Sequence, residues 1–230
     1  MKTLSKRLKL AKNKIVKKAY SVEEAIALLK QVATAKFVES AEVHFCLNLD
    51  TKFNDQQLRT NIRLPKGTGK FLKIAVLVPK GTETKNLIEA GATQVGSDEL
   101  VEKIGKGILD FDILLTTPEM MSKVMKLGKI LGPRGLMPST KTGTITIDLL
   151  AAIKEFQSGK VECRADKTGV VHLIFGQMNF SEADLIENAM AVYEVIKQNR
   201  PVGVKGKYFK SFTVCSTMGP SINIDLTTLD

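Results

Sequence analysis

The sequence predicts a mixed α/β and α+β protein of two domains. One is a split α+β sandwich made of both chain ends, residues 1–66 and 160–230; the other is an inserted α/β domain with a parallel sheet, residues 67–159. Three observations carry this. Each end of the chain combines strands of period-two alternation with one amphipathic helix. The middle instead alternates short apolar runs with helical stretches, the pattern of a parallel sheet covered on both faces. The character changes at Lys66-Gly67-Thr68-Gly69 and again after Gly159. Insertion into a split domain is tolerated where the interrupted ends lie close together.

The elements follow in order. Ser21-Val22-Glu23-Glu24 is a capping box, with Ser21 as N-cap, and Ile26, Leu29 and Ala33 carry the helix on to about Phe37. Val43, Phe45, Leu47 and Leu49 alternate with His44, Cys46 and Asn48 as a half-buried strand, and Ile62 and Leu64 mark a second. Lys73–Val78 is a continuous apolar strand. A helix near Glu83–Ala90, a very short strand at Thr93–Val95, a helix at Asp98–Gly105 and a strand at Asp112–Leu115 follow. Pro118 opens a helix through Met120–Leu127, and another runs from about Leu149 to Phe156. Val161–Ala165 and Val170–Phe175 flank Asp166-Lys167-Thr168-Gly169 and read as a hairpin. A helix from Ser181 to Lys197 and strands at Tyr208–Ser216 and Ile222–Leu226 complete the chain.

Composition narrows the function classes. Of 230 residues, 43% are hydrophobic and 25% charged, as in an ordinary folded domain. No apolar stretch approaches the roughly 20 residues of a membrane span, so no membrane partner is expected. The net charge is +10, and nearly all of the excess lies in the first twenty residues: Lys2, Lys6, Arg7, Lys9, Lys12, Lys14, Lys17 and Lys18, with no acid. The apolar residues of this arm, Leu4, Leu8, Leu10, Ile15 and Val16, form only a thin stripe, too weak for a membrane-surface helix. A second basic run, Lys197, Arg200, Lys205, Lys207 and Lys210, has no acid between Glu194 and Asp225. Such clusters are the footprint of a polyanion partner. The arm is Lys-rich, with one Arg and one Ser, unlike an Arg- and Ser-rich transit peptide, and reads as part of the mature protein.

Catalytic and cofactor motifs are not found. Gly69-Lys70 would need Gly at 64 and Ser or Thr at 71 to form a phosphate loop, but those positions are Leu64 and Phe71, and a strand follows instead of a helix. His44 and Cys46 share a strand face, yet Cys163, Cys215 and His172 stand at no recognisable metal spacing, so neither metal nor cofactor is expected. Leu131-Gly132-Pro133-Arg134-Gly135-Leu136-Met137-Pro138 reads as a stiff, exposed loop ringed by Lys126, Lys129, Arg134 and Lys141.

That loop, with Thr117-Pro118-Glu119-Met120-Met121 before it, resembles the signature of the large-subunit ribosomal protein L-one family, of bacterial or plastid type. Thr34–Phe37, Leu64–Lys70, Asp166–Gly169, Lys205-Gly206 and Ser216-Thr217-Met218-Gly219-Pro220 are similar to the family's other blocks, in the same order. The resemblance implies a non-enzymatic constituent of the large ribosomal subunit whose split domain binds the stalk region of 23S-type rRNA and whose inserted domain is Rossmann-like. It implies help in releasing deacylated tRNA from the E site and, in many bacterial members, repression of their own mRNA. The lack of a targeting segment in the sequence, with its Lys-over-Arg and Asn/Ile-rich usage, adds the expectation of a ribosome in a plastid (chloroplast) stroma or bacterial cytoplasm. The other class open to an α/β middle domain is a nucleotide-dependent enzyme, which fold alone does not decide.

Carried over by residue, the RNA face is expected at Lys36, Phe37, Ser40 and Glu42, at Arg164, Asp166, Lys167 and His172, and at Ser211, Thr217, Met218 and Gly219. The residue types suit an RNA minor groove, where 2′-hydroxyls and base edges meet small polar groups and shape. Lys and Arg neutralise phosphates. On local pattern alone, Phe37 reads as a core residue at a helix end and Thr217–Pro220 as a turn. Two positions depart from the family's pattern: Ser139-Thr140 follows Pro138 in place of Asn-Pro, which predicts a looser loop, and Lys66 replaces a frequent His.

Overall fold

A computed structural model describes residues 5–16, 18–79, 81, 82 and 84–229. Lys2, Leu4 and Lys17 of the basic arm, and Glu83 at the start of an expected helix, lie outside the described residues. The chain opens with α1 (Lys6–Asn13), α2 (Val22–Val32), β1 (Ser40–Leu47) and β2 (Arg59–Arg63). It continues through β3 (Ile74–Leu77), α3 (Lys85–Glu89), β4 (Gln94–Gly96), α4 (Asp98–Gly105), β5 (Ile113–Thr116), α5 (Met121–Lys126), α6 (Gly128–Leu131) and α7 (Leu149–Gln157). It ends with β6 (Lys160–Arg164), β7 (Val170–Gln177), α8 (Glu182–Gln198), β8 (Phe209–Ser216) and β9 (Ile222–Ile224). These elements form two compact units, Met1–Gly69 with Val161–Asp230, and Lys70–Lys160.

The first unit is built on a four-stranded antiparallel sheet in the order β7-β1-β8-β9. Alternation along β1 buries Ala41, Val43, Phe45 and Leu47, and the same rule buries Val171, Leu173 and Phe175 on β7 and Phe212 and Val214 on β8. Helices α2 and α8 pack on that face and on each other. Their N-termini are capped by Ser21, whose hydroxyl accepts from the Glu24 amide at 3.2 Å, and Ser181, which accepts from Asp184 at 3.1 Å. The rings of Phe45 and Phe212 stack with centroids 4.4 Å apart in the middle of the core. Burying each such ring contributes about 1.5–3 kcal/mol.

Two expectations for this unit are corrected. Helix α2 stops at Val32 and does not reach Phe37, because the Glu39 carboxylate accepts the Ala35 amide at 3.0 Å and holds the chain out of the helical path. Strands β6 and β7 are not a hairpin: β6 pairs with β2 in a separate two-stranded sheet, and only the bridge Ala165↔Val171 joins them. The turn residues form the expected tight turn, with Gly169 in the left-handed region at φ 79°, while the β6–β2 pairing is extended by the Ala165 amide, which donates to the Leu58 carbonyl at 3.0 Å.

The Gly-Thr-Gly run is structural. Gly67 and Gly69 take left-handed backbone, and their carbonyls accept from the side chains of Asn188 at 3.1 Å and Gln177 at 3.1 Å.

In the second unit, β3 lies between β4 and β5 in a three-stranded parallel sheet. Ile74 and Val76 face a cluster with Leu87 and the α7 residues Leu149, Ile153 and Phe156; Ala75 and Leu77 face another with Leu100, Ile104, Val124 and Leu131. Burial on both faces explains why Ile74–Leu77 has no polar alternation. The Gly-Pro segment is less exposed than expected. Leu131 belongs to α6 and is fully buried, Pro138 is buried, and Leu136 and Met137 pack against the second cluster, so the exposed part is Gly132–Gly135. The turn after it is not loose either. The Ser139 amide donates to Thr144 Oγ1 at 2.7 Å, and the Ser139 carbonyl accepts from the Thr142 hydroxyl at 3.1 Å.

Candidate nucleic-acid interface

Because one face of the four-stranded sheet is sealed by helices, the alternate residues of its strands project from the other. Those residues are Ser40, Glu42, His44 and Cys46 on β1, His172 and Ile174 on β7, and Ser211, Thr213 and Cys215 on β8, all half-buried or exposed. The register sets Glu42 between Ile174 and Cys215, His44 between His172 and Thr213, and Cys46 between Val170 and Ser211.

At the Ser40 end, two segments far apart in the chain are joined by Glu39, which is 2% exposed. Its carboxylate accepts from the Ala35 amide at 3.0 Å, the Ser216 hydroxyl at 2.8 Å and the Met218 amide at 2.9 Å. Burial pushes this carboxyl up, but the Met218, Ser216 and Ala35 bonds, with the Arg7 charge, outweigh it and hold it below the usual glutamate range. Arg7 on α1 adds a second tie, donating to the Met218 carbonyl at 2.8 Å. The Thr217 hydroxyl accepts from the Ser40 amide at 3.0 Å. Gly219 fits because a Cβ there would stand 2.3 Å from Ser216 Oγ.

Phe37, two residues beyond the bound Ala35 amide, and Met218, whose backbone is held, are 56% and 52% exposed, beside the exposed Lys36 and Thr217. Phe37 is therefore no core residue. The structure brings Lys36, Phe37, Ser40, Thr217, Met218 and Gly219 to one end of the sheet, with Glu42 and His172 along its face. Ser211 lies farther along, opposite Cys46. Asp166 and Lys167 occupy the turn at the far end of β7, and Arg164 sits on β6 in the other sheet. The Asp166 carboxylate is engaged by its own turn. Bonds from the Val170 amide and the Thr168 hydroxyl and amide hold it below the usual aspartate range against a small burial effect, with His172 adding to the lowering.

Sequence reasoning missed Glu39 and Arg7, whose roles rest on partners distant in the chain. The second basic cluster lines a cavity of about 490 Å³, where Lys197, Arg200, Lys207 and Lys210 surround Tyr193, Tyr208 and Phe209. Arg200 is spent internally, donating to the carbonyls of Val204 and Gly206. Among the described residues, no helix is long and apolar enough to cross a membrane.

Residues 29–220 match the model of the ribosomal protein L1p/L10e family. The chain belongs to this family. It is a ribosomal protein, a structural constituent of the ribosome and not an enzyme. Among its relatives, the large ribosomal subunit protein uL1c of Guillardia theta is 58% identical over 226 residues, covering 98% of this chain and 96% of that one. The uL1c of Pyropia yezoensis is 51% identical over the full length of both chains. The uL1 of Thermosynechococcus vestitus is 52% identical, covering 100% of this chain and 96% of its own. This L1p/L10e member is of the plastid or bacterial kind, and its place is the ribosome of a plastid or a bacterial cytoplasm.

Proposed function

We propose that the split unit is an rRNA-binding domain and that, as part of the large ribosomal subunit, it grips the stalk region of 23S-type rRNA. Its RNA face comprises Lys36, Phe37, Ser40, Glu42, Arg164, Asp166, Lys167, His172, Ser211, Thr217, Met218 and Gly219. The Lys70–Lys160 unit is then the inserted Rossmann-like domain. The observation that carries the reading is the Glu39 staple. It ties residues 35 and 218 to one carboxylate while two apolar side chains beside them stay uncovered.

Such an end fits a shallow minor groove. Phe37 and Met218 lie against ribose or base, the Thr217 and Ser40 hydroxyls meet 2′-hydroxyls, and Glu42 accepts from a hydroxyl or base amino group. Lys36, Lys167 and Arg164 set the register on phosphates. In the ribosome the complex assists release of deacylated tRNA from the E site. The same face serves a similar site on the protein's own mRNA, giving autogenous translational repression.

A filter-binding titration of the full chain with a stalk rRNA fragment tests this. Affinity falls steeply with salt, as phosphate contacts release counterions. Salt-insensitive binding, or no preference for stalk RNA over an unrelated duplex, contradicts the reading.

A further inference from the structure

The open sheet face gathers metal-ligating side chains from separate strands. Glu42 and His44 are two residues apart on β1, hence on one face, and Cys215 stands opposite Glu42 on β8. One ligand atom from each lies within 4.8 Å of the others, all three side chains are half-buried, and His44 Nε2 is 3.1 Å from Cys215 Sγ. Ligand atoms around a tetrahedral zinc ion, bonded at 2.0–2.3 Å, stand roughly 3.5 Å apart, so small rotamer changes close the set.

A second observation concerns the other ring nitrogen. His44 Nδ1 lies 2.8 Å from His172 Nδ1, and His172 Nε2 faces the Asp166 carboxylate at 3.8 Å. Two ring nitrogens in contact share one proton. Of the two ways to share it, the one that makes His44 Nδ1–H the donor puts the acceptor lone pair on His172 Nδ1. The lone pair of His44 Nε2 then points at Cys215, as a ligand requires. A hydrogen-bond partner at the other ring nitrogen of a ligating histidine, here His172, is the usual device for fixing its orientation.

We propose that Glu42, His44 and Cys215 form a binding site for a zinc-class divalent cation, with His172 as the positioning residue for His44. The mixed oxygen, nitrogen and sulfur donors suit a borderline-soft ion, and three protein ligands leave a fourth position open. On loading, the Cys215 S–H bond breaks, a metal–sulfur bond forms, and the proton leaves to buffer. Carboxylate and thiolate then balance the two charges of the ion.

Co²⁺ titration of the full chain without RNA tests this independently of the rRNA reading. Binding is followed by the thiolate-to-cobalt charge-transfer absorption, with Zn²⁺ as competitor and circular dichroism as the check on folding. The wild type binds one ion per chain with the charge-transfer band, and Zn²⁺ displaces it. Cys215→Ser abolishes the band, His172→Gln weakens binding by about 10–100-fold, and Cys46→Ser changes neither. Should Cys215→Ser fail to fold, Glu42→Gln decides: a loss of at least about tenfold in Co²⁺ affinity supports the site, as a ligand's removal must cost no less than that of a supporting residue. No band in the wild type, a band that survives Cys215→Ser or vanishes in Cys46→Ser, or unchanged affinity in Glu42→Gln overturns it.

Discussion

The Met218 amide donates to the Glu39 carboxylate at 2.9 Å across 179 positions of sequence, and the ends of the split unit meet at that bond. Its partners are a second amide and a buried hydroxyl, so the carboxylate is satisfied on several sides. Removing the charge leaves these donors short of an acceptor. Glu39→Gln is expected to cost about 1–3 kcal/mol at neutral pH, read from urea unfolding. The carboxyl is held below its ordinary value in the folded state. Its stabilisation is therefore fully present above the unfolded pKa of roughly 4.3 and is lost as pH falls through the lower folded value. The gap between wild type and Glu39→Gln should shrink as pH drops below about 4. A gap constant from pH 7 to pH 3 contradicts the assignment.

Gly219 tests the same junction by sterics. An added Cβ meets Ser216 Oγ at 2.3 Å, the atom that donates to Glu39. Gly219→Ala should lose about 1–3 kcal/mol. In a Ser216→Ala background the nearest side-chain atom is the Cβ at 3.5 Å, an ordinary contact, so the second substitution costs much less. A double-mutant cycle should give a coupling of about 1 kcal/mol or more, and strict additivity rules out the clash.

Phe37 and Met218 separate binding from folding. Both are more than half exposed, so replacing either with Ala should change stability by no more than about 0.5 kcal/mol. Stalk rRNA affinity should nevertheless fall several-fold in filter binding. Thr217→Val behaves differently, because its hydroxyl also accepts from the Ser40 amide. It should weaken RNA binding by about 1–3 kcal/mol and also lower stability. Unchanged affinity in all three variants would remove this end of the sheet from the RNA face.

Asn188 is fully buried and binds the first crossing between the chain's segments. It donates to the carbonyls of Phe175 at 2.8 Å and Gly67 at 3.1 Å and accepts from the Lys66 amide at 3.0 Å. Asn188→Ala should cost about 2–3 kcal/mol in urea unfolding and speed proteolysis near Gly67. The ion pairs of Lys66 with Asp184 and Glu187 are exposed. Lys66→Met should change little, and less at high salt. Equal effects from the two variants contradict this ranking.

Local pattern was enough for most elements. Ser21 caps α2 as its capping box implies, Val43, Phe45 and Leu47 alternate inward on β1, and the unbroken run at Ile74–Leu77 is a parallel strand buried on both faces. These features depend on neighbours within a few residues, where periodicity and capping chemistry act. The family, too, was legible, because its blocks are contiguous runs matched over residues 29–220.

The chain's linear order settled the class of fold, the inward and outward residues of β1, and membership in a ribosomal protein family. Tertiary structure alone decided that β6 leaves β7 for β2, that α2 ends at Val32, that Glu39 is buried across the chain ends and that Phe37 is exposed. It alone brought Cys215, not Cys46, beside His44. Strand partnership and the burial of a charge are chosen by groups that meet only after the chain ends come together. Their energies depend on contacts 100 or more positions apart, which no local window contains.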